Sequence, residues 1–178
     1  MRLIKAILLG MGVVFLSGCS TMVYDGLAEG QKALKIQEVK VLMPPFTNAT
    51  NDDHAARGVS ELMGSALLHR GVPLFQTEKT LLRSAGEEAP GIDGRFTELV
   101  AETGATHLLL GTVHEYRYKT DLDGDPAVGI SARLVEVTSG QTIWQGSVGN
   151  VGYAFASLTS ASGSAVRRLV ARMPLQRR

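Results

Sequence analysis

The chain has 178 residues, 44% of them hydrophobic, and its 18 lysines and arginines nearly balance its 17 aspartates and glutamates. The chain therefore lacks the basic excess that is typical of nucleic-acid-binding proteins, which argues against that class. The single cysteine excludes a disulfide within the chain and a multi-cysteine zinc site. The length suits one domain with its own apolar core.

The N-terminus has the features of a secretory signal. Arg2 and Lys5 precede the apolar run AILLGMGVVFL, which is shorter than the roughly 20 residues needed to span a bilayer. The run leads through residues 16–18 (LSG) to Cys19. This stretch resembles the lipobox of bacterial lipoproteins, which implies cleavage before Cys19 and its lipidation. Ser20, where an aspartate favours inner-membrane retention, then points to the outer membrane. The alternative is an ordinary signal with a chance cysteine.

These features predict the domain organisation. We expect a lipoprotein signal peptide over 1–18, a lipidated N-terminus and short tether over 19–35, and one globular α/β domain over 36–178. Residues 20–35 lack strong periodicity, which favours a tether with at most a short helical turn. Several acyl chains on one residue would hold the protein firmly on a membrane.

Strands and helices alternate in the first half of the domain. Residues 38–43 (EVKVLM) predict a strand, and apolar residues from Ala55 to Leu67 recur at helical spacing before Gly71. Asn51 or Asp52 could cap this helix. Further predictions are a short strand over 72–76, a brief helix around 79–84, and a helix from Phe96 to Thr103 that stops at Gly104.

Three consecutive strands and a last helix follow. The strands are THLLLGTVHEYRY, AVGISARLVEV and QTIWQGSV, and the helix carries an apolar stripe from Val166 to Met173 before Pro174. Simple alternation puts one set of residues of the first strand on a shared face: Leu108, Leu110, Thr112, His114, Tyr116 and Tyr118. The order β-α-β-α-β-β-β-α predicts a mixed sheet of about five strands with helices packed against it.

Motifs that would indicate an enzyme are missing from the sequence. It contains no HExxH, GxSxG or GxxxxGK[ST]. The turn DLDGD resembles the start of an EF-hand loop, but Pro126 stands where that loop has glycine and Ala132 where it has glutamate. We therefore expect no enzyme activity, no cofactor and no metal.

Residues 104–148, with GATHLLLGTV and ISARLVEVTSGQTIWQGSV, resemble a superfamily of bacterial envelope proteins. It includes the curli secretion channel CsgG, the penicillin-binding-protein activator LpoB and the N-terminal domain of TolB. The early VLMPPFTNAT fits the same pattern. Because residues 20–35 are short and lack proline, the chain most resembles the PelC family, small outer-membrane lipoproteins of Pel exopolysaccharide export.

The resemblance to the PelC family implies several partners and surfaces. The family forms a homo-oligomeric ring beneath an outer-membrane export barrel, with aromatic residues toward the membrane and an acidic funnel for a cationic polysaccharide. Tyr153 and Phe155 are candidates for the membrane-facing role because they lie in a connection of small residues, although simple packing is the alternative. Trp144 is a third candidate, but a strand tryptophan usually belongs to the core.

Two groups of acids are candidates for binding a charged polymer. The first is Asp121, Asp123 and Asp125, which would otherwise only shape a hairpin turn. The second is Asp52 and Asp53, which could instead complement a helix dipole.

The predicted function is that of an outer-membrane lipoprotein that assists export of a charged exopolysaccharide. The rival hypothesis is a lipoprotein regulator of a peptidoglycan synthase, and a periplasmic hydrolase is a third class without a supporting motif.

Overall fold

The computed structural model describes residues 21–27, 32–77, 94–120, 124–153 and 155–177. The described strands are β1 Thr21–Leu27, β2 Leu34–Lys35, β3 Val41–Met43, β4 Thr47–Asn48, β5 Leu74–Gln76, β6 His107–Tyr118, β7 Pro126–Glu136, β8 Thr142–Val151 and β9 Leu175–Gln176. The described α-helices are α1 Ala55–His69, α2 Gly94–Thr103 and α3 Leu158–Arg172. A 3-10 turn covers Ile36–Glu38. No described helix has the length and apolar content required to cross a membrane.

Seven of these described strands form one mixed sheet in the order β1-β8-β7-β6-β3-β5, with β4 paired to β6. The strands β1, β8, β7 and β6 are mutually antiparallel neighbours, whereas β3 and β5 run parallel to β6. The predicted mixed sheet and its order of elements are therefore confirmed, with additional short strands. A separate parallel pair joins β2, directly before the 3-10 turn, to β9 near the C-terminal end of the described chain.

The helices cover both faces of the sheet. The buried side chains of α1 and α3 share one large core with Val41, Met43 and Leu109. Neighbouring residues on the same strands, Leu42 and Leu108, point the other way and pack beneath α2. The sheet is thus the middle layer of the molecule, with α1 and α3 on one face and α2 on the other.

The short tether predicted for residues 19–35 is wrong for Thr21–Leu27. This segment is strand β1, and it pairs antiparallel with β8 from Thr21 opposite Asn150 to Leu27 opposite Trp144. The side chain of Val23 packs against the large core. Partners about 120 residues away in sequence therefore give regular structure to a stretch whose local pattern is weak.

The face predicted for β6 changes at a bulge. The register of the β6–β7 pair shifts between Val113 and Glu115, and an extra residue of this kind reverses the side-chain alternation beyond it. Leu108 and Leu110 accordingly pack beneath α2, whereas Tyr116 packs against the core under α1 and α3.

Other predicted boundaries differ by small amounts. The strand predicted over 38–43 begins at Val41, after the 3-10 turn. Gly71 and Gly104 end their helices with φ of 81° and 62°, as predicted. The cap of α1 is His54 without a side-chain cap bond, and the amide of His54 donates to Asp52 Oδ1 at 2.8 Å. The helix predicted around 79–84 lies outside the described residues.

Two arginines donate hydrogen bonds near the C-terminal ends of α1 and α3. The Arg70 guanidinium donates to the carbonyl oxygens of Val170 and Leu175. Arg177 donates in return to the carbonyl oxygens of Arg70 and His69, at 2.9 and 2.8 Å. The bonds from Arg177 satisfy carbonyls at the C-terminal end of α1, and the bonds from Arg70 tie that end to α3 and β9. Burial, and after it the nearby positive charge of Arg177, lowers the pKa of Arg70 from its ordinary value.

Candidate membrane-contact site

Exposed aromatic side chains gather at one end of the sheet, where β6 and β8 end and β1 begins. Tyr118 is 51% exposed, Tyr153 is 56% exposed and Phe155 is fully exposed. Tyr118 ends β6, whereas Tyr153 and Phe155 lie in the connection between β8 and α3. We call these three residues the aromatic end.

Hydrogen bonds fix the loop that carries Tyr153 and Phe155. The amide of Gly152 donates to the carbonyl oxygen of Pro126 at 2.8 Å. The amide of Ala156 donates to the carbonyl oxygen of Tyr153, also at 2.8 Å. A Cβ on Gly152 would lie 2.7 Å from the Pro126 ring, so the close approach requires glycine. The loop therefore has a defined place against the start of β7.

The far side of the same loop is fixed by the start of α3. Ser157 and Ser160 form a capping box, in which each side chain accepts from the other's backbone amide. The amide of Leu158 donates to the hydroxyl of Tyr118 at 3.4 Å. Tyr118 therefore belongs to the same surface as the loop. Sequence reasoning missed this residue, because its only signal was its place at the end of a predicted strand.

The backbone of Phe155 is unusual. Its φ is 77°, and it is the one non-glycine residue with positive φ in the described part of the chain. The left-handed region costs an L-residue roughly 1–2 kcal/mol, and the exposed ring recovers none of this by burial in its own core. Strain at an exposed apolar residue is a reason to look for a function outside the folded core.

The predicted lipidation site is tied to this end of the sheet by chain geometry. Thr21 lies opposite Asn150 on β8, one residue before that strand ends. Cα atoms two residues apart are at most about 7.6 Å from each other, so Cys19 is held within that distance of Thr21. The start of β1 therefore lies at the same end of the sheet as the aromatic end, and the predicted lipidation site precedes it by two residues.

The membrane-facing role predicted for Trp144 is wrong in this structure. Only 1% of the residue is exposed, and it packs in the core beneath α3. Gly146 makes room for its ring, since a Cβ there would lie 2.6 Å from Trp144 Cζ2. The general preference of strand tryptophans for the core prevails here.

The predicted acids are not brought together as one described cluster. Asp121 and Asp123 lie outside the described residues. Asp125 is half-buried, its Oδ1 has no hydrogen-bond partner among the described residues, and its carbonyl oxygen accepts from the Lys119 amide at 2.8 Å. Because Asp125 directly precedes Pro126, whose carbonyl oxygen accepts from the Gly152 amide, Asp125 lies beside the aromatic end.

Asp52 and Asp53 belong to a different part of the surface. Asp52 is held in the turn before α1, where its carbonyl oxygen accepts from Asn48 Nδ2 at 2.8 Å. Asn48 lies opposite Val113 on β6, five residues before Tyr118, which corresponds to about 16 Å along a strand. Asp53 is exposed.

In the described part of the chain, the histidines form no recognisable catalytic or metal site. His114 Nε2 lies 2.7 Å from Ser131 Oγ on the exposed sheet face, but a serine–histidine pair needs a third group to orient the base, and no described contact supplies one. His107 is buried, with Nδ1 2.8 Å from Thr106 Oγ1. Within the described ranges, no three His, Cys, Asp or Glu residues could hold a metal ion.

Comparison with solved structures identifies the fold. The chain is 24% identical to PelC from Paraburkholderia phytofirmans, solved as a dodecamer, over 89% of this chain and 99% of that one, with a TM-score of 0.70. The lipoprotein GNA1162 from Neisseria meningitidis is 22% identical over 75% of this chain and 96% of that one, with a TM-score of 0.55.

No protein-family model and no curated protein matches the sequence. The likeness to solved structures therefore rests on the fold, and at that level the predicted resemblance to PelC is confirmed. This chain has the fold shared by PelC and GNA1162.

Proposed function

We propose that the protein is a non-enzymatic lipoprotein on the periplasmic face of the outer membrane that assists export of a charged, Pel-like exopolysaccharide. In this proposal it forms a homo-oligomeric ring beneath an outer-membrane export barrel. The fold it shares with dodecameric PelC over 89% of its length supports the proposal.

The observation that carries the proposal is the common location of the predicted anchor and the aromatic end. The pairing of Thr21 with Asn150 puts the start of β1, two residues after the proposed lipid, near the loop of Tyr153 and Phe155. Tyrosine side chains suit the membrane–water interface, where an apolar ring meets lipid and a hydroxyl meets water. We infer that Tyr118, Tyr153 and Phe155 rest on the bilayer beside the lipidated residue.

The contact with a cationic polysaccharide is assigned, within this proposal, to Asp121, Asp123 and Asp125. Of the three, the described Asp125 lies beside the aromatic end, which supports a position of these carboxylates close to the membrane and to the mouth of an export barrel. Copies repeated around a ring would add their fields. Asp52 and Asp53 are the second choice, on a neighbouring part of the surface.

The short link from Cys19 to β1 weighs against the rival role as a peptidoglycan-synthase regulator. A regulator that crosses the periplasm needs a long tether, whereas the structured sheet begins two residues after the proposed lipid. No described contact favours this alternative.

The proposal can be tested in the source bacterium. Removal of the protein should abolish secretion of the polymer, and the wild-type chain but not Cys19→Ser should restore it. Crosslinked wild-type protein should copurify with an outer-membrane barrel. Normal secretion without the protein, or copurification with a peptidoglycan synthase instead, would contradict the proposal.

A further inference from the structure

An open groove separates the two helices that cover one face of the sheet. It has a volume of about 640 Å³, and its floor is formed by apolar side chains of α1 and α3: Leu62, Ala66, Val166 and Val170. His69, Arg70 and Arg167 also line it. The groove is therefore an apolar surface with basic residues around it, and its volume is in the range of protein ligand sites.

Among the residues that the structure describes, the basic residues of the groove have no acidic partners. None of the described ion pairs involves His69, Arg70 or Arg167. Arg167 donates to the Ser164 hydroxyl at 3.1 Å, and Arg70 is used on two carbonyl oxygens and lies near Arg177. A carboxylate brought in from outside would therefore meet uncompensated positive charge.

The opposite face of the sheet carries a complementary surface. Leu99 and Val100 of α2 point to the sheet, whereas Thr97, Glu98, Ala101 and Glu102 are exposed. Glu98 and Glu102 are four residues apart, so two like charges are neighbours on the helix surface, which is mildly unfavourable. Neither forms an ion pair with another described residue. This face of α2 is narrow and acidic, and its other exposed side chains, Thr97 and Ala101, are small.

The two surfaces lie at the same level of the molecule. The helix α2 covers Leu108 near the start of β6, away from the aromatic end. The groove spans the second half of α1 and of α3, and these halves lead to Arg70 and Arg172, also away from the aromatic end, because α3 starts beside Tyr118. Both surfaces therefore belong to the half of the molecule that is distant from the proposed membrane.

We propose that α2 of one copy docks into the groove between α1 and α3 of a second copy, with Glu98 and Glu102 against Arg167 and His69. This inference rests on the proposed oligomeric function and specifies its contact. A contact between two different surfaces is head-to-tail, and its repetition closes into a ring when the rotation permits. Since both surfaces lie at one level, every copy would keep its aromatic end on the same side of that ring.

Charge reversal tests the contact in the full-length lipidated protein extracted in detergent. Glu98→Arg and Arg167→Glu should each raise the concentration at which the assembly dissociates by about tenfold or more, because like charges would then face each other. Light scattering coupled to size exclusion measures the mass. Combining both changes in one chain should restore assembly, since every contact then regains opposite charges.

Matched controls come from the outer sides of the same helices. Arg168 lies next to Arg167 on α3, and Glu61 lies on α1, but neither residue lines the groove. The control variants are therefore Arg168→Glu and Glu61→Lys, which reverse a charge outside the proposed contact. Both controls should assemble like the wild type. Melting temperatures establish that each variant is folded, which is expected because all the altered side chains are exposed.

A disulfide provides a second test. Glu98 and Arg167 lie on opposite faces of the sheet in one copy, so cysteines at both positions can bond only between copies. Oxidised Glu98→Cys/Arg167→Cys protein should give a ladder of multimers on a denaturing gel, whereas each single variant has no cysteine opposite the new thiol and should run as a monomer. If the wild type assembles but the ladder is missing and charge reversal has no effect, this contact is wrong while the ring survives. If the wild type is monomeric on lipid and in detergent, the proposed ring itself fails.

Discussion

Replacing Phe155 by glycine should separate a membrane role from a packing role, because the two roles predict opposite changes in stability. The left-handed backbone of Phe155 costs roughly 1–2 kcal/mol for an L-residue, and its φ is 77°. Glycine removes this cost but loses about 0.5–1 kcal/mol through greater freedom of the unfolded chain. The fully exposed ring contributes little to the core. The net change is a gain of between zero and about 1.5 kcal/mol.

The expected thermal effect is small and positive. For a domain of this size, 1 kcal/mol shifts the melting temperature by roughly 2–4 °C, so Phe155→Gly should melt at the wild-type temperature or a few degrees above it. Phe155→Ala keeps the strained backbone and should melt like the wild type. A fall of several degrees for either variant would show that the ring packs within the folded protein.

Membrane binding should change in the other direction. Full burial of a phenylalanine side chain gives about 1.5–3 kcal/mol, and partial insertion of about half that value corresponds to a three- to tenfold weaker partition for both variants. Co-sedimentation of the unlipidated Cys19→Ser protein with phospholipid vesicles measures this partition. Leu68→Ala is the control, because Leu68 is 56% exposed but lies on α1 at the opposite end. Unchanged vesicle binding of Phe155→Gly would refute the reasoning.

Three further predictions concern the interior. Gly111→Ala would place a Cβ 2.3 Å from Phe46 Cε2, and such overpacking should lower the free energy of unfolding by about 1–3 kcal/mol in urea titrations. Trp144→Ala should lower the free energy of unfolding by about 3–5 kcal/mol, as for a core tryptophan. An unchanged melting temperature would show that Trp144 does not contribute to the core. Burial, opposed in part by Glu136, lowers the pKa of His107 from its ordinary 6.5. As the pH falls, His107 therefore binds a proton in the unfolded chain before it does so in the folded protein. The free energy of unfolding decreases as the pH drops below about 6.5 and levels off below the folded pKa. Urea titrations at several pH values should show a shallower fall for His107→Asn, and equal slopes would contradict this account.

Local pattern was sufficient for the elements whose structure depends on near neighbours. The helical spacing from Ala55 to Leu67 and the stops at Gly71 and Gly104 were all predictable, because helix periodicity and left-handed glycines are local properties. The strand β1 was not, since TMVYDGL gains its structure only from β8. The reversal of Tyr116 also escaped prediction, because the bulge in β6 is visible only in its pairing with β7.

The residues of the candidate site also differ in whether the local sequence could predict them. The exposure of Tyr153 and Phe155 could be expected from their surroundings of glycine and alanine, which offer little to pack against. The contribution of Tyr118 could not, because it depends on a contact with Leu158, 40 residues away. The position of the start of β1 beside the aromatic loop also depends on a long-range contact, its pairing with β8.

The pairing of β1 with β8 also affects how the chain can fold after secretion. The first strand to emerge must wait for the last strand of the main sheet, because more than 115 residues separate their paired positions. Until then β1 and the edge of β7 both present unpaired backbone groups, a state that favours aggregation. If an acylated Cys19 holds the N-terminus, β1 stays at the membrane surface during this interval and the rest of the sheet must assemble toward it. The arrival of β8 would then complete the sheet and bring the aromatic end to the membrane in one step.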